Sequence, residues 1–377
     1  MKTLKTTITF LILFAVGSAF NLQAQTDSDM PSTTVTVVPL ERQTDELLTQ
    51  YWAMPTLYNP AATGDIDYVR IRGGARLEWL GMHQSPKNYL VTADSPFKLL
   101  GKRIGAGVVL NSRSYGLFQN LLIGAQGSYK LRFGKNNFSI GLQIGYYTSK
   151  YKGSERRLGN LGGESGGSSS PEIPGDTPGN DGAGGVEGED PEEPDDDPYY
   201  NELPTEDINA GVFDLGFGVR YEHPKFYVGL AGRHLTNPTL KMTREGETAG
   251  DSRYFESKLP ATLYFDAGGN IPVKNSLISL QPSVIVATDF TDFTGVLDLR
   301  ATYNQKITFG IDYRWNHAAG VMAGLMLKNF FVGYSWEYDW TAPDKGSTGN
   351  HELVLGYQFK LDMGGKNMFS HRSIRIM

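Results

Sequence analysis

The sequence contains no cysteine. That absence excludes disulfides, thiolate catalysis, cysteine-ligated zinc and attachment of a lipid to an amino-terminal cysteine. Long apolar runs are missing too. After residue 20 no stretch of about 18 apolar residues occurs, so nothing beyond it can cross a bilayer as a helix. Histidine is scarce: the six, His83, His223, His234, His317, His351 and His371, fall in no His-Glu-x-x-His zinc pattern. No phosphate-cradling Gly-Lys-Ser/Thr loop is present, and the Gly-x-Ser-x-Gly match within Gly162 to Gly167 is low-complexity sequence, not a nucleophile elbow. His351 could act as a base in a surface lipase, but no serine partner can be assigned to it. No catalytic residue, metal ligand, cofactor or nucleic-acid partner is therefore expected, and the chain reads as non-enzymatic.

What is abundant points one way. There are 45 Gly, 20 Tyr, 19 Phe and 5 Trp, with only 40% hydrophobic residues, a mixture suited to many short strands with one apolar and one polar face. Met1 to Lys5 is a short basic start, Ile8 to Phe20 is apolar, and Leu22-Gln23-Ala24 resembles a cleavage site. Residues 1–24 thus read as a secretory signal, and the polar, aperiodic residues 25–45 as a flexible leader.

From Asp65 onward the chain alternates with period two. Val69, Ile71, Ala75 and Leu77 share one face, and Arg70, Arg72, Arg76 and Glu78 the other. Further on, Phe213, Leu215, Phe217 and Val219 oppose Asp214, Gly216, Gly218 and Arg220. Leu297 and Leu299 oppose Asp298 and Arg300, and Ile311 and Tyr313 oppose Asp312 and Arg314. Fourteen such segments begin near residues 66, 88, 104, 118, 137, 208, 225, 259, 276, 293, 306, 318, 329 and 350.

An even number of segments about ten residues long, with aromatics at the ends of their apolar faces, predicts a transmembrane up-and-down antiparallel β-barrel over residues 65–361. A soluble β-sandwich shows the same local alternation. The connections separate the two. With the first strand starting on the periplasmic side, Gly134-Lys135-Asn136, Glu222-His223-Pro224, Asn304-Gln305 and Lys328-Asn329 form short inward turns. The long connections 150–207, 234–258 and 340–349 all fall on the outer side, as a barrel requires. The second connection, read as Ser95 to Arg103, fits this rule least.

Within the outward loop 152–207, the stretch from residue 160 on holds fifteen of the 41 acidic residues and no Lys or Arg. It reads as a disordered, solvated loop; a weak calcium-responsive patch is the sharper alternative, although no calcium-loop spacing is present. The face carrying Arg70, Arg72, Arg76, Glu78, Asp214, Arg220, Asp298, Arg300, Asp312 and Arg314 is predicted to line the lumen. Its mixed signs suit a filled lumen or a gripped plug better than a charge-selective pore. Residues 362–377 should lie in the periplasm, either disordered or bound to a partner.

The residues just before the first strand run Gln50-Tyr51-Trp52-Ala53-Met54-Pro55-Thr56-Leu57-Tyr58-Asn59-Pro60-Ala61-Ala62-Thr63-Gly64. This resembles the amino-terminal signature of the PorP/SprF family of outer-membrane proteins in Bacteroidetes. The family pattern is matched at Gln50, Tyr51, Asn59, Pro60, Ala61 and Gly64, with departures at Met54-Pro55 and Ala62-Thr63. Weaker resemblances follow in family order, among them Trp79-Leu80-Gly81, Phe213 to Gly218, Gln281-Pro282-Ser283 and His351 to Tyr357.

The resemblance implies a role in the type IX secretion and gliding machinery, in which the barrel supports export or surface anchoring of a large adhesin. It implies contacts with outer-membrane lipid and with periplasmic or outer-membrane secretion components. Residues 46–64, with Gln50, Tyr51, Tyr58, Asn59, Pro60 and Gly64, would form a periplasmic or luminal plug or docking segment, or a mere lead-in. An outer-membrane channel for small or hydrophobic solutes is the competing function.

Overall fold

The computed structural model describes residues 46–82, 85–99, 102–155, 207–243, 254–342 and 346–361. The expected signal, leader, most of the acidic loop and the carboxy-terminal tail lie outside these residues. Seventeen strands follow one another in the described chain. The first seven are β1 (Tyr68–Leu77), β2 (Lys87–Leu99), β3 (Lys102–Tyr115), β4 (Phe118–Phe133), β5 (Asn136–Lys152), β6 (Asp207–His223) and β7 (Phe226–Arg233). A small hairpin, β8 (Thr239–Thr243) and β9 (Tyr254–Lys258), stands apart. Then come β10 (Thr262–Gly269), the two-residue β11 (Ile271–Pro272), β12 (Ile278–Thr288), β13 (Phe293–Tyr303) and β14 (Ile307–Arg314). The last three are β15 (Ala318–Leu327), β16 (Phe330–Asp339) and β17 (Asn350–Lys360).

Fourteen of these close into one antiparallel barrel. Each pairs with its neighbours in sequence, β10 pairs directly with β12, and β1 joins β17 from Tyr68↔Lys360 to Leu77↔His351. Closure joins the first strand to the last, so the ring has no free edge strand. The soluble sandwich is thereby excluded.

Faces follow the sequence alternation. Ile71, Val91, Val108, Leu142, Leu299, Ile311, Val332 and Leu355 point outward and exposed, whereas Arg72, Thr92, Asp214, Arg300 and Ser335 point inward and are buried. The exposed face carries two aromatic belts. Tyr89, Phe293, Trp315, Trp336 and Tyr338 ring the end at which the long loops emerge, and Phe97, Phe133, Phe226, Tyr303, Phe330 and Phe359 ring the other. An apolar band between aromatic girdles is stable against lipid and would be unfavourable in water.

Two connections differ from the sequence reading. The turn residues Ser95 and Pro96 suggest an early stop, yet β2 and β3 continue as a hairpin through Pro96↔Gly105, Phe97↔Ile104 and Leu99↔Lys102. The missing N–H of Pro96 is outweighed by the pairing on either side of it. The outward loop 234–258 also has structure of its own. Its hairpin buries Leu240 and Met242 against Leu122, Tyr147, Tyr151 and Ile208 on the inner face of β4, β5 and β6.

The barrel is taller on that side. β4, β5 and β6 run 16, 17 and 17 residues, but β7 has only 8 and pairs with β6 only from Phe217 to His223. The upper part of β6 therefore rises past its neighbour, and the hairpin covers its inner surface.

Because Leu355 is 50% exposed at the middle of β17, Leu355→Arg is expected to destabilise the lipid-embedded barrel by about 2–4 kcal/mol. Urea unfolding in vesicles checks this; a change below about 1 kcal/mol would place that face away from lipid.

Candidate functional site

Residues 46–64 fill the lumen. Three short 3-10 turns, Tyr51–Ala53, Pro55–Leu57 and Pro60–Ala62, let the chain wind rather than extend, and Pro at the first position of two of them suits the fixed proline φ. The Asn59 side chain caps the third by accepting from the Ala61 amide at 2.9 Å. Leu47, Leu48, Trp52, Met54 and Leu57 are at most 3% exposed and pack with Leu90, Val109, Tyr264, Ile285 and Phe331 from the wall.

The wall satisfies the plug's backbone. Glu352 on β17 accepts from the Thr49 and Gln50 amides, one carboxylate oxygen each, at 2.8 Å. Asp94 on β2 accepts from the Gly64 amide at 2.7 Å, Gln126 donates to the Thr56 carbonyl at 2.7 Å, and Ser128 donates to the Thr63 carbonyl at 2.6 Å. Arg314 donates to the Leu47 carbonyl at 2.8 Å. Short turns leave many carbonyl and amide groups without local partners, and such groups must be met when buried.

The charged face resolves into separate clusters rather than one continuous ladder. Arg76 is the most heavily engaged: it meets Glu46 at 2.5 Å, Glu337 at 2.6 Å, Glu78 at 3.1 Å and Glu352 at 3.5 Å, and donates to Thr49 Oγ1 at 2.9 Å. Arg314 joins it through Glu337 at 3.1 Å. Arg70 lies between Asp65 at 2.7 Å and Asp94 at 2.8 Å. Arg220 pairs with Asp266 at 2.5 Å and Glu222 at 2.9 Å while lying 4.0 Å from the Tyr227 ring centre. Arg300 pairs with Asp298 at 2.8 Å and sits over Trp52 at 4.2 Å, Arg72 donates to Gln358 at 2.9 Å, and Asp214 meets His234 at 2.8 Å. Asp312 is buried in the same lumen.

Of the residues singled out before the first strand, Tyr51 donates to Ser283 at 2.9 Å, and Tyr58 accepts from the Leu48 amide at 2.7 Å. Burial pushes both phenols well above the ordinary tyrosine value, so they stay neutral. The Asn59 amide donates to the Val219 carbonyl at 3.2 Å. Gln50, Asn59, Pro60 and Gly64 are all buried. Pro60 and Asn59 approach the wall where it is glycine: a Cβ on Gly141 would strike Pro60 and Ala61, and one on Gly218 would strike Asn59. Those glycines read in sequence as part of a polar face; here they are the space the plug occupies.

Sequence reasoning passed over Glu46, Asp94, Gln126 and Lys130, and gave Glu352 no role. All but Glu46 lie on polar strand faces, so their inward direction was available, but their plug partners lie between 30 and 303 residues away. Among the described residues no group of acidic or histidine side chains is arranged to hold a metal ion.

The profile of a family described as "Type IX secretion system membrane protein PorP/SprF" matches residues 40–357. No curated protein matches. Among solved structures, the Ralstonia pickettii toluene transporter TbuX is similar at 12% identity and TM-score 0.45, over 81% of this chain and 93% of that one. A Pseudomonas aeruginosa FadL homologue is similar at 12% identity and TM-score 0.42, over 80% and 92%. The Acinetobacter baumannii outer membrane protein Omp33 is similar at 7% identity and TM-score 0.37, over 78% and 97%.

Two outcomes test the grip on the plug. Glu352→Gln removes a charge that faces Arg76 and two amides, and is expected to weaken plug docking by about 3–5 kcal/mol, read as larger and noisier conductance in a planar bilayer. Unaltered conductance would mean that the plug is held elsewhere. The tyrosines set a pH limit with a definite sign. Their raised values mean that docking is supported below the free tyrosine value of about 10 and lost as pH rises past it. Conductance should thus climb as pH rises above about 10, and Tyr58→Phe should reduce that climb.

Proposed function

The chain belongs to the PorP/SprF family of type IX secretion system membrane proteins, and from that footing we propose that it works as a plugged protein-docking barrel. In this reading it supports export or surface anchoring of a large adhesin, in the secretion and gliding machinery of a Bacteroidetes outer membrane, and carries out no catalysis itself. Its partners are the adhesin and periplasmic or outer-membrane secretion components.

The observation that supports this over solute transport is the filled lumen. Residues 47–62 are buried, and the wall gives hydrogen bonds to the plug from β2, β4, β14 and β17. A permanent channel for small or hydrophobic solutes would need this segment displaced, against many buried polar contacts. A plug that contributes shape and sealing rather than passage leaves the outer rim and loops as the surfaces for protein contact.

Purification of the tagged barrel from its native outer membrane in mild detergent is expected to bring down a large secreted protein or secretion components. A solitary barrel that conducts ions in its native form would overturn the reading in favour of the channel. Deletion of residues 46–64 is expected to reduce adhesin display at least about tenfold while the barrel still assembles. Unchanged display by that variant would remove the plug from the function.

A further inference from the structure

At the periplasmic end the fourteen barrel strands meet in seven pairs, and each pair carries a lysine there. Lys135, Lys225, Lys274, Lys306 and Lys328 lie in the connections β4–β5, β6–β7, β10–β12, β13–β14 and β15–β16. Lys102 opens β3 directly after the β2–β3 turn, and Lys360 closes β17 beside the start of β1. All seven are exposed. None of the six turns at this end holds an Asp or Glu. Of the carboxylates near this rim, Asp65, Asp67 and Glu222 are engaged by Arg70, Arg103 and Arg220. The outer turns differ: that between β12 and β13 holds Asp289 and Asp292, and those between β3 and β4 and between β14 and β15 hold no lysine.

Turn chemistry does not account for the pattern. At Lys328 φ is +55°, in the left-handed region that favours Gly or Asn and is uncommon for a long side chain. Asn275 and Asn304 fill that region in two of the neighbouring turns. A lysine in it carries a conformational cost that its charge must offset.

The aromatic belt shows where that charge sits. Lys225 directly precedes Phe226, Lys360 directly follows Phe359, and Lys135 and Lys328 lie two residues from Phe133 and Phe330. Exposed aromatic side chains at a barrel rim settle at the boundary between hydrocarbon and headgroups, so an ammonium on a four-carbon stem just beyond them reaches the phosphates. The ring is also complete. A protein partner approaches one flank, whereas a lipid leaflet surrounds the barrel on every side, as these lysines do.

We propose that the seven lysines form a collar that binds anionic phospholipid headgroups in the inner leaflet of the outer membrane and fixes the depth of the barrel there. The summed attraction of the ring selects lipids of net negative charge over zwitterionic ones. The inference rests on the rim and on the orientation of the barrel, and does not depend on the plug or on the secretion reading.

The full barrel, reconstituted in phosphatidylcholine vesicles, is probed with trace spin-labelled phosphatidylglycerol or spin-labelled phosphatidylcholine, and the fraction of each held at the protein surface is read from the electron spin resonance spectrum. The native barrel is expected to favour phosphatidylglycerol at least about twofold at about 0.01 M salt and to lose most of that preference at about 1 M, where charges are screened. Lys→Gln at all seven positions is expected to remove the preference. Lys87→Gln, Lys150→Gln and Lys152→Gln together, at the outer ends of β2 and β5, are expected to leave it unchanged. Heat-modifiable migration on gels confirms that each variant forms the barrel, and if the sevenfold variant does not, the salt response of the native barrel decides. Equal retention of the two lipids by the native barrel at low salt overturns the proposal and leaves the rim to an acidic periplasmic protein. A preference that persists at high salt, survives in the sevenfold variant or vanishes with the outer lysines overturns it as well.

Discussion

The Glu352 carboxylate is the contact on which the arrangement turns. It lies on the last strand, accepts from two adjacent amides of the plug, and faces Arg76 on the first strand at 3.5 Å. A buried charge is stable only when both its electrostatic and hydrogen-bonding needs are met. Here they are met by three parts of the chain at once: β1, β17 and residues 49–50. Glu337 extends the same cluster to Arg314, so the plug's amino end is held by a connected network spanning four strands. A network of this kind contributes geometry as much as energy, because each member fixes the position of the next.

The wall and the plug are shaped to each other by opposite means. Where the plug is bulky the wall is glycine, as at Gly141 and Gly218, and where the plug exposes backbone groups the wall supplies Gln126, Ser128 and Asp94. Apolar contact is concentrated in the middle, around Trp52, Met54 and Leu57. Toward the outer ends of β4, β5 and β6 the hairpin of β8 and β9 adds a second closure, with Leu240 and Met242 against the tall wall. The lumen is thus obstructed from inside by the amino-terminal segment and covered on one flank by an outer loop.

Much of the barrel is legible in the sequence because the period-two rule is local. A residue such as Leu299 or Arg300 declares its face from its immediate neighbours, and fourteen segments with alternating long and short connections leave few topologies. The turn chemistry at Ser95 and Pro96 misleads, since cross-strand pairing, not local propensity, decides where β2 ends. The hairpin within 234–258 is hidden for a related reason: its five-residue strands are too short to show a period. The resemblance around Gln50 to Gly64 picks out the plug, but not what holds it. Arg76 shows its direction plainly, whereas its pairing with Glu337, 261 residues later, is a property of the closed barrel that no stretch of sequence displays.

The seam between β1 and β17 carries a consequence for how the molecule is made. Arg76 and Glu352 are register partners across that seam, and both bind Thr49. The final strand pairing and the seating of the plug are therefore coupled: a sheet closed empty holds two opposed charges without the amides that complete their shell. Chain entropy resists this step, since the residues joined are some 300 positions apart. Once it occurs, the ring can no longer admit or release the thread sideways. Assembly thereby favours a barrel closed around its own first residues over one closed empty.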